Sequence, residues 1–405
     1  MRETEEGRGF YYGWLVLVAA FFITALTFAS GFSFGVFLTP FRESLGASSA
    51  AVSGAYSLCT FIYTGLAPFT GWGVDRYGPR ATAFLGGLFM VAGLLLTRQV
   101  QSLWQLYATY ALIGVGMSAA YTPLMTTVSR WFTRRRGLAV GIVSAGIGAG
   151  PLIMAPLARY LTEIQGWRFA FLVMGLAAAL IVPLAFLLRR SPPKEVSAPN
   201  SPPERRQVSY SPDFSLREAV GTRAFWLFAL MYFLVGVGLQ MVNAHIVTYS
   251  EVKGISPLAA AAVLSTISGS SIIGKVSTGI ISDRMGRRRV LTTSVLLEGL
   301  MILGMVGAPG AFPLFAAAVF FGFGYGGHST SFPAIIGEML GLTNMGAILG
   351  AAVFFWGIGG AIGPTLAGRI FDLTGDYAYA FAIGAGAMLG AVVASLFLKT
   401  PRKKG

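Results

Sequence analysis

The sequence predicts an all-α membrane protein of twelve transmembrane helices in two pseudo-symmetric six-helix bundles. Three observations carry that expectation. Of 405 residues, 55% are hydrophobic and only 11% charged, with a mean hydropathy of +0.68; a soluble protein carries about a quarter charged residues. Twelve apolar runs are long enough to cross a bilayer, which takes about 20 residues each. A ten-residue motif in the first half recurs in the second at an offset of 208.

The runs lie near 11–38, 51–73, 81–97, 103–129, 137–161 and 168–188, then 223–249, 258–281, 290–308, 312–337, 345–371 and 377–398. None alternates with the two-residue period of a barrel strand, so the spans are helices. The first run exceeds a signal-peptide core and follows an acidic leader (Glu3, Glu5, Glu6), which marks it as a span. Between runs six and seven, Pro192, Pro193, Pro199, Pro202, Pro203 and Pro212 sit among Ser, Glu and Arg in a stretch unable to build a core. The expected organisation is a first bundle over 1–188, a linker over 189–222 and a second bundle over 223–405.

Lysines and arginines set the orientation. With a cytoplasmic N-terminus, 23 of the 30 fall on the inner side and 6 on the outer, leaving Lys275 inside a helix. Both termini are therefore expected in the cytoplasm, in a cell inner (plasma) membrane. The net charge of +14 is then an inner-face collar in contact with the bilayer, and no nucleic-acid partner is expected. The lone Cys59 excludes a disulfide framework. There is no phosphate-binding glycine loop and no metal-spaced Cys/His set, so no cofactor or metal is expected. No segment outside the spans is large enough for a catalytic domain, and no obligate protein partner is evident. The chain is not expected to be an enzyme.

The repeated motif is Gly71-Trp72-Gly73-Val74-Asp75-Arg76-Tyr77-Gly78-Pro79-Arg80, matched by Gly279-Ile280-Ile281-Ser282-Asp283-Arg284-Met285-Gly286-Arg287-Arg288. Gly114 and Gly116 map on Gly322 and Gly324 at the same offset, and Gly137, Gly141 and Gly148 map on Gly346, Gly350 and Gly357 one residue later. Charge placement for topology explains the arginines but not the two aspartates, so Asp75, Arg76, Arg80, Asp283, Arg284 and Arg287 are expected to latch and release a gate. Gly137, Gly141 and Gly148 are expected to pack one helix face closely.

This pattern, between runs two and three and again between eight and nine, resembles the major facilitator superfamily over essentially the whole chain. A narrower resemblance comes from Trp131-Phe132-Thr133-Arg134-Arg135-Arg136-Gly137, continuing to Gly148, and from Tyr12-Gly13-Trp14. These segments are similar to the monocarboxylate transporter branch and its bacterial oxalate/formate antiporter relatives. The resemblance implies the major facilitator fold and alternating-access transport of a small organic anion.

Lys275 lies eight residues before Asp283, about 12 Å along a helix, too deep to snorkel. Burial there costs about 2.5–3.5 kcal/mol even on lenient scales, and such residues mark substrate pathways. The residue one turn before it is Ser271, so its helix supplies no counter-ion. The segment around Lys275 resembles a family pattern in which an arginine pairs with the substrate carboxylate. The family's other charged positions correspond here to Ser271, Phe32 and Trp356. One fixed cation suits a monoanion, since a dicarboxylate would leave a buried negative charge uncompensated.

Tyr121, Asn243, His245, Tyr325 and His328 are further candidates to orient the anion, with Phe354 and Trp356 walling its apolar side. Glu298 and Glu338 are expected to pair with arginines near the inner ends. A carboxylate entering alone works against the membrane potential at about 2.3 kcal/mol per 100 mV, so symport with a proton is expected. Lys275 is the first candidate carrier, because a lysine, unlike an arginine, can give up its proton in a low-dielectric site. His245 is the second. The substrate is expected to be lactate- or pyruvate-like; the alternative is organic-anion exchange of the oxalate/formate kind, for which Gly150-Pro151 and Gly363-Pro364 speak.

Overall fold

The computed structural model describes residues 12–132, 136–190, 214–341, 344–399 and 401, without the side chains of residues 75, 136, 137, 279, 283, 284, 345 and 346. All regular structure among the described residues is helical. The first traverse is α1 (Tyr12–Phe32) and α2 (Phe34–Leu45), broken where the Ser33 hydroxyl donates to the Ala29 carbonyl at 2.6 Å. There follow α3 (Ser49–Tyr77) and α4 (Pro79–Thr97). The fourth traverse is α5 (Leu103–Ser118) and α6 (Tyr121–Trp131), then come α7 (Arg136–Gln165) and the sixth traverse, α8 (Trp167–Ala179) with α9 (Ile181–Phe186). A short α10 (Leu216–Val220), closed by a capping box between Ser215 and Glu218, precedes α11 (Arg223–Val252), α12 (Pro257–Met285) and α13 (Arg287–Val306). The chain ends with α14 (Ala311–Leu340), α15 (Met345–Thr374) and α16 (Ala378–Leu396).

Eleven of these traverses are long and apolar enough to cross a membrane by length and composition. The twelfth, α14, has 30 residues and packs along α12 and α13. Its hydropathy is diluted by a run of glycines and by Tyr325, His328, Ser329, Thr330 and Ser331. Those glycines give α14 its position. A Cβ on Gly326 would collide with the Ser271 carbonyl and the Lys275 amide of α12, and one on Gly324 would stand 2.8 Å from the Ser294 carbonyl of α13. The backbones therefore approach closely, as membrane helices do through small residues.

The repeat has a backbone cause. Gly78 ends α3 at φ 90°, and Gly286 ends α12 at φ 87°. A Cβ is disfavoured in that conformation, so the last glycine of each motif turns the chain from one helix directly into the next.

The two halves meet along α3 with α15 and α7 with α12, and at α2 with α11. Gly148 of α7 lies against the Ser268 carbonyl and Ile272 of α12, but Gly141 has open space beside it. The expected single face over Gly137, Gly141 and Gly148 is thus corrected: Gly146 and Gly150, pressed on α1, do the close packing beside Gly148, and Gly137 lies outside the described side chains.

Candidate functional site

Lys275 sits mid-bundle where α7, α12 and α14 converge. It is 8% exposed, and its Nζ donates to the Ser144 carbonyl of the first half at 3.2 Å and lies 5.4 Å from the Tyr325 ring centre. No acidic side chain pairs with it among the described ion pairs. A buried ammonium held only by one carbonyl and a ring face keeps donor capacity for an anion. The Tyr325 phenol is within electrostatic reach of that of Tyr121, and Tyr63 of those of Tyr56, Tyr121 and Tyr325. Phenols of both halves thus lie within electrostatic reach of one another, and one of them, Tyr325, lies against the lysine.

Tyr121 opens α6 just after the helix break and faces the Phe28 ring at 6.5 Å. Trp356 meets Tyr63 edge-on at 6.5 Å, and Phe354 stands 6.3 Å from Phe61, so both lie on the α3–α15 seam. Asn243 is placed elsewhere: its amide donates to Gln240 at 3.0 Å, and Gln240 donates to the Tyr56 hydroxyl at 3.1 Å, a polar chain that crosses between the halves. Gln240 is fully buried and was not singled out from the sequence, though its place one turn before Asn243 is a legible signal.

His245 is not beside Lys275. It is fully buried between α11, α3 and α15, where Nε2 donates to the Pro364 carbonyl at 2.8 Å and Ser53 Oγ lies 3.3 Å away; Nδ1 has no partner. His328 faces away from the half-to-half junction, its Nδ1 2.6 Å from Glu298 Oε1. Glu298 therefore pairs with a histidine rather than with an arginine as expected, because it is buried in mid-span on α13. Glu338 does pair with Arg287, at 3.1 Å.

Of the motif residues, Arg80 donates to the Phe186 carbonyl at 2.8 Å, Arg76 lies over Trp72 and Tyr77, and Arg287 holds Glu338. Each of these contacts stays within one half. Asp75, Asp283 and Arg284 lie outside the described side chains.

The polar contacts that cross between halves run from Lys275 to the end opposite the termini, here called the far end. Asp372, near the end of α15, accepts from the Ser49 and Ala50 amides at 2.8 Å each, placing a carboxylate on the N-terminus of α3. Arg159 pairs with Glu251 at 3.0 Å, and Thr39 donates to Glu251 at 3.4 Å. Ser57 and Thr365 share a 2.8 Å bond further inward. Each of these cross-half contacts lies at Lys275 or on its far side. The far end is sealed. Asp372 and Glu251 were missed in the sequence because each is a lone acid at a helix end, a common surface pattern.

The Major Facilitator Superfamily family model matches residues 20–279 and 263–405. The chain is 28% identical over 386 residues to "Monocarboxylate transporter 11" of Mus musculus, covering 92% of this chain and 84% of that protein. It is 29% identical over 408 residues to "Oxalate:formate antiporter" of Oxalobacter formigenes, covering 96% of each. Among solved structures, a bacterial homologue of the human lysosomal transporter Spinster, in an inward-facing and unoccupied conformation, matches with a TM-score of 0.71 at 15% identity, covering 98% of this chain and 96% of that one.

Proposed function

We propose that this chain, which belongs to the Major Facilitator Superfamily and is a multi-pass membrane transporter rather than an enzyme, moves a small lactate- or pyruvate-like monocarboxylate together with a proton. The observation that carries the reading is Lys275, a buried cation without an acidic partner at the junction of the halves. A carboxylate arriving there replaces the neutral Ser144 carbonyl with a charged acceptor, adding an ion-pair attraction to the hydrogen bond that low-dielectric surroundings strengthen. The Tyr325 ring backs the ammonium, and Tyr121 offers a hydroxyl from the opposite half.

With both termini in the cytoplasm the far end is extracellular, and the sealed state faces inward. The first bundle (1–188) and the second (223–405), joined by the linker 189–222, then rock about the α3–α15 and α7–α12 seams. The far-end bonds to Asp372 and Glu251 break when the extracellular side opens. Arg76, Arg80 and Arg287, with Asp75, Asp283 and Arg284 of the same motifs, work the cytoplasmic gate. Of the two carriers named from the sequence, Lys275 stands in the anion site, whereas His245 lies inside the seal and meets water only when that seal opens.

Exchange of organic anions is the second reading, favoured by the similarity to the antiporter over 96% of both chains. Charge counting weighs against a dianion, because Lys275 is the only buried lysine or arginine among the described residues. Proteoliposomes decide. Labelled lactate should accumulate under an inward pH gradient in an otherwise lactate-free system, and Lys275→Ala should remove that accumulation at lactate concentrations that half-saturate the wild type. Uptake that needs an internal anion but no pH gradient, with oxalate competing better than lactate, sinks symport in favour of exchange.

A further inference from the structure

Apart from the anion site, one buried ionisable pair has no part in that reading. Glu298 is fully buried, its Oε1 is bonded to His328 Nδ1 at 2.6 Å, and its Oε2 is buried with no hydrogen-bond partner. His328 keeps 5% of its side chain accessible against 0% for Glu298, so the imidazole is the less buried member of the pair. The imidazole stands 5.5 Å from the Tyr325 ring, which carries Lys275 on its face at 5.4 Å. The ionisable groups around the pair are Tyr325 on its own helix, Lys275 on α12, and Tyr232 on α11, which stacks on Phe332 beneath the imidazole. Among the described residues no second carboxylate and no guanidinium touches the pair.

We propose that the Glu298–His328 pair is the proton-binding site of this carrier, with Lys275 acting as a permanent cation; the proposal rests on the proton-coupled carboxylate reading above. With Nδ1–H donating to an ionised Glu298 the pair carries one negative charge. One proton, taken on Nε2 or on the free Oε2, makes it neutral. In the empty carrier the pair cancels Lys275. In the loaded carrier the substrate carboxylate cancels Lys275 and the proton cancels the pair. Either ligand alone leaves a net charge buried in the bundle, which low-dielectric surroundings oppose. Only the empty and the doubly loaded forms then reorient, which is what obligatory one-to-one coupling requires. Lys275 never has to lose its proton.

Glu298→Gln keeps an acceptor for Nδ1 but fixes the pair in its neutral form. The loaded carrier still crosses, whereas the empty carrier holds Lys275 uncompensated and cannot return. In proteoliposomes with labelled lactate, Glu298→Gln should keep at least half of wild-type lactate counterflow and lose pH-gradient-driven accumulation at least tenfold. Undiminished gradient-driven accumulation by Glu298→Gln overturns the proposal, as does loss of counterflow in a variant that still gives the wild-type thermal shift with lactate. If Glu298→Gln does not fold, the double variant Glu298→Gln/His328→Gln, whose two amides can bond each other and cannot ionise, takes its place in both assays: retained counterflow with lost accumulation supports the proposal, and undiminished accumulation overturns it. Failure of the wild type itself to accumulate lactate under a pH gradient strikes the underlying reading instead.

Discussion

The two halves repeat one backbone plan yet divide the chemistry unequally. In the first half the buried polar side chains are serines, threonines and tyrosines. Among the described residues, the buried amides and ionisable side chains other than the phenols and Cys59 lie in the second half: Gln240, Asn243, His245, Lys275, Glu298 and His328. A repeat needs matching helices and seams to rock, but it does not need matching charges. One half can hold the ions while the other supplies neutral donors and a moving wall, so that charged groups stay together through the cycle.

The largest expected effect comes from removing the charge on the ion-bearing side. Lys275→Ala should raise the half-saturating lactate concentration about 100-fold, as loss of a charge-assisted contact worth up to about 3 kcal/mol implies. Radiolabel uptake against lactate concentration measures it. A change of less than threefold would mean that the division of charge has nothing to do with substrate.

Next in size is the bond by which the second half grips the first. Asp372→Asn removes the charge that faces the N-terminus of α3 and one of two acceptors for its amides. Loss of such a cap costs about 1–2 kcal/mol, so the open population of the far end should rise about tenfold. A cysteine placed at Ser53, in a Cys59→Ala background, reports this through its reaction with an impermeant maleimide. An unchanged labelling rate would deny Asp372 any share in the seal.

The sequence made the general plan legible and the pairings less so. Apolar runs and the ten-residue repeat carry the helices, and Lys275 is conspicuous because a lone cation in a span has few innocent explanations. Where a side chain finds its partner depends on helix rotation, which apolar runs do not encode when a helix is buried on most sides. Hence Glu298 pairs with His328 and not an arginine, and His245 stands in the seal rather than beside Lys275. Asp372 acts through backbone amides of the other half, a partnership that leaves no mark on composition.

A smaller effect separates the phenols. Tyr121→Phe removes the hydroxyl that the first half offers and should weaken lactate binding about fivefold, the worth of one neutral hydrogen bond near 1 kcal/mol. Tyr325→Phe keeps the ring face under the ammonium, so its change should stay within about twofold, whereas Tyr325→Leu loses a cation–π contact of about 1 kcal/mol. Equal effects of Tyr121→Phe and Tyr325→Phe, measured as lactate half-saturation, would erase the distinction between a hydroxyl donor and a ring support.

The smallest difference should be found where the halves are alike. Gly78 and Gly286 hold the same turn, at φ 90° and 87°, with no atom near enough to obstruct a Cβ. Alanine at either place should therefore cost only the backbone strain, about 1–3 kcal/mol, and lower the melting temperature of the detergent-solubilised protein by similar amounts. Lactate binding, which depends on Lys275 at mid-span, should change in neither. If Gly286→Ala instead weakens binding while Gly78→Ala does not, the turn after α12 sets the depth of Lys275. The asymmetry of the halves would then reach beyond side-chain charge into the backbone itself.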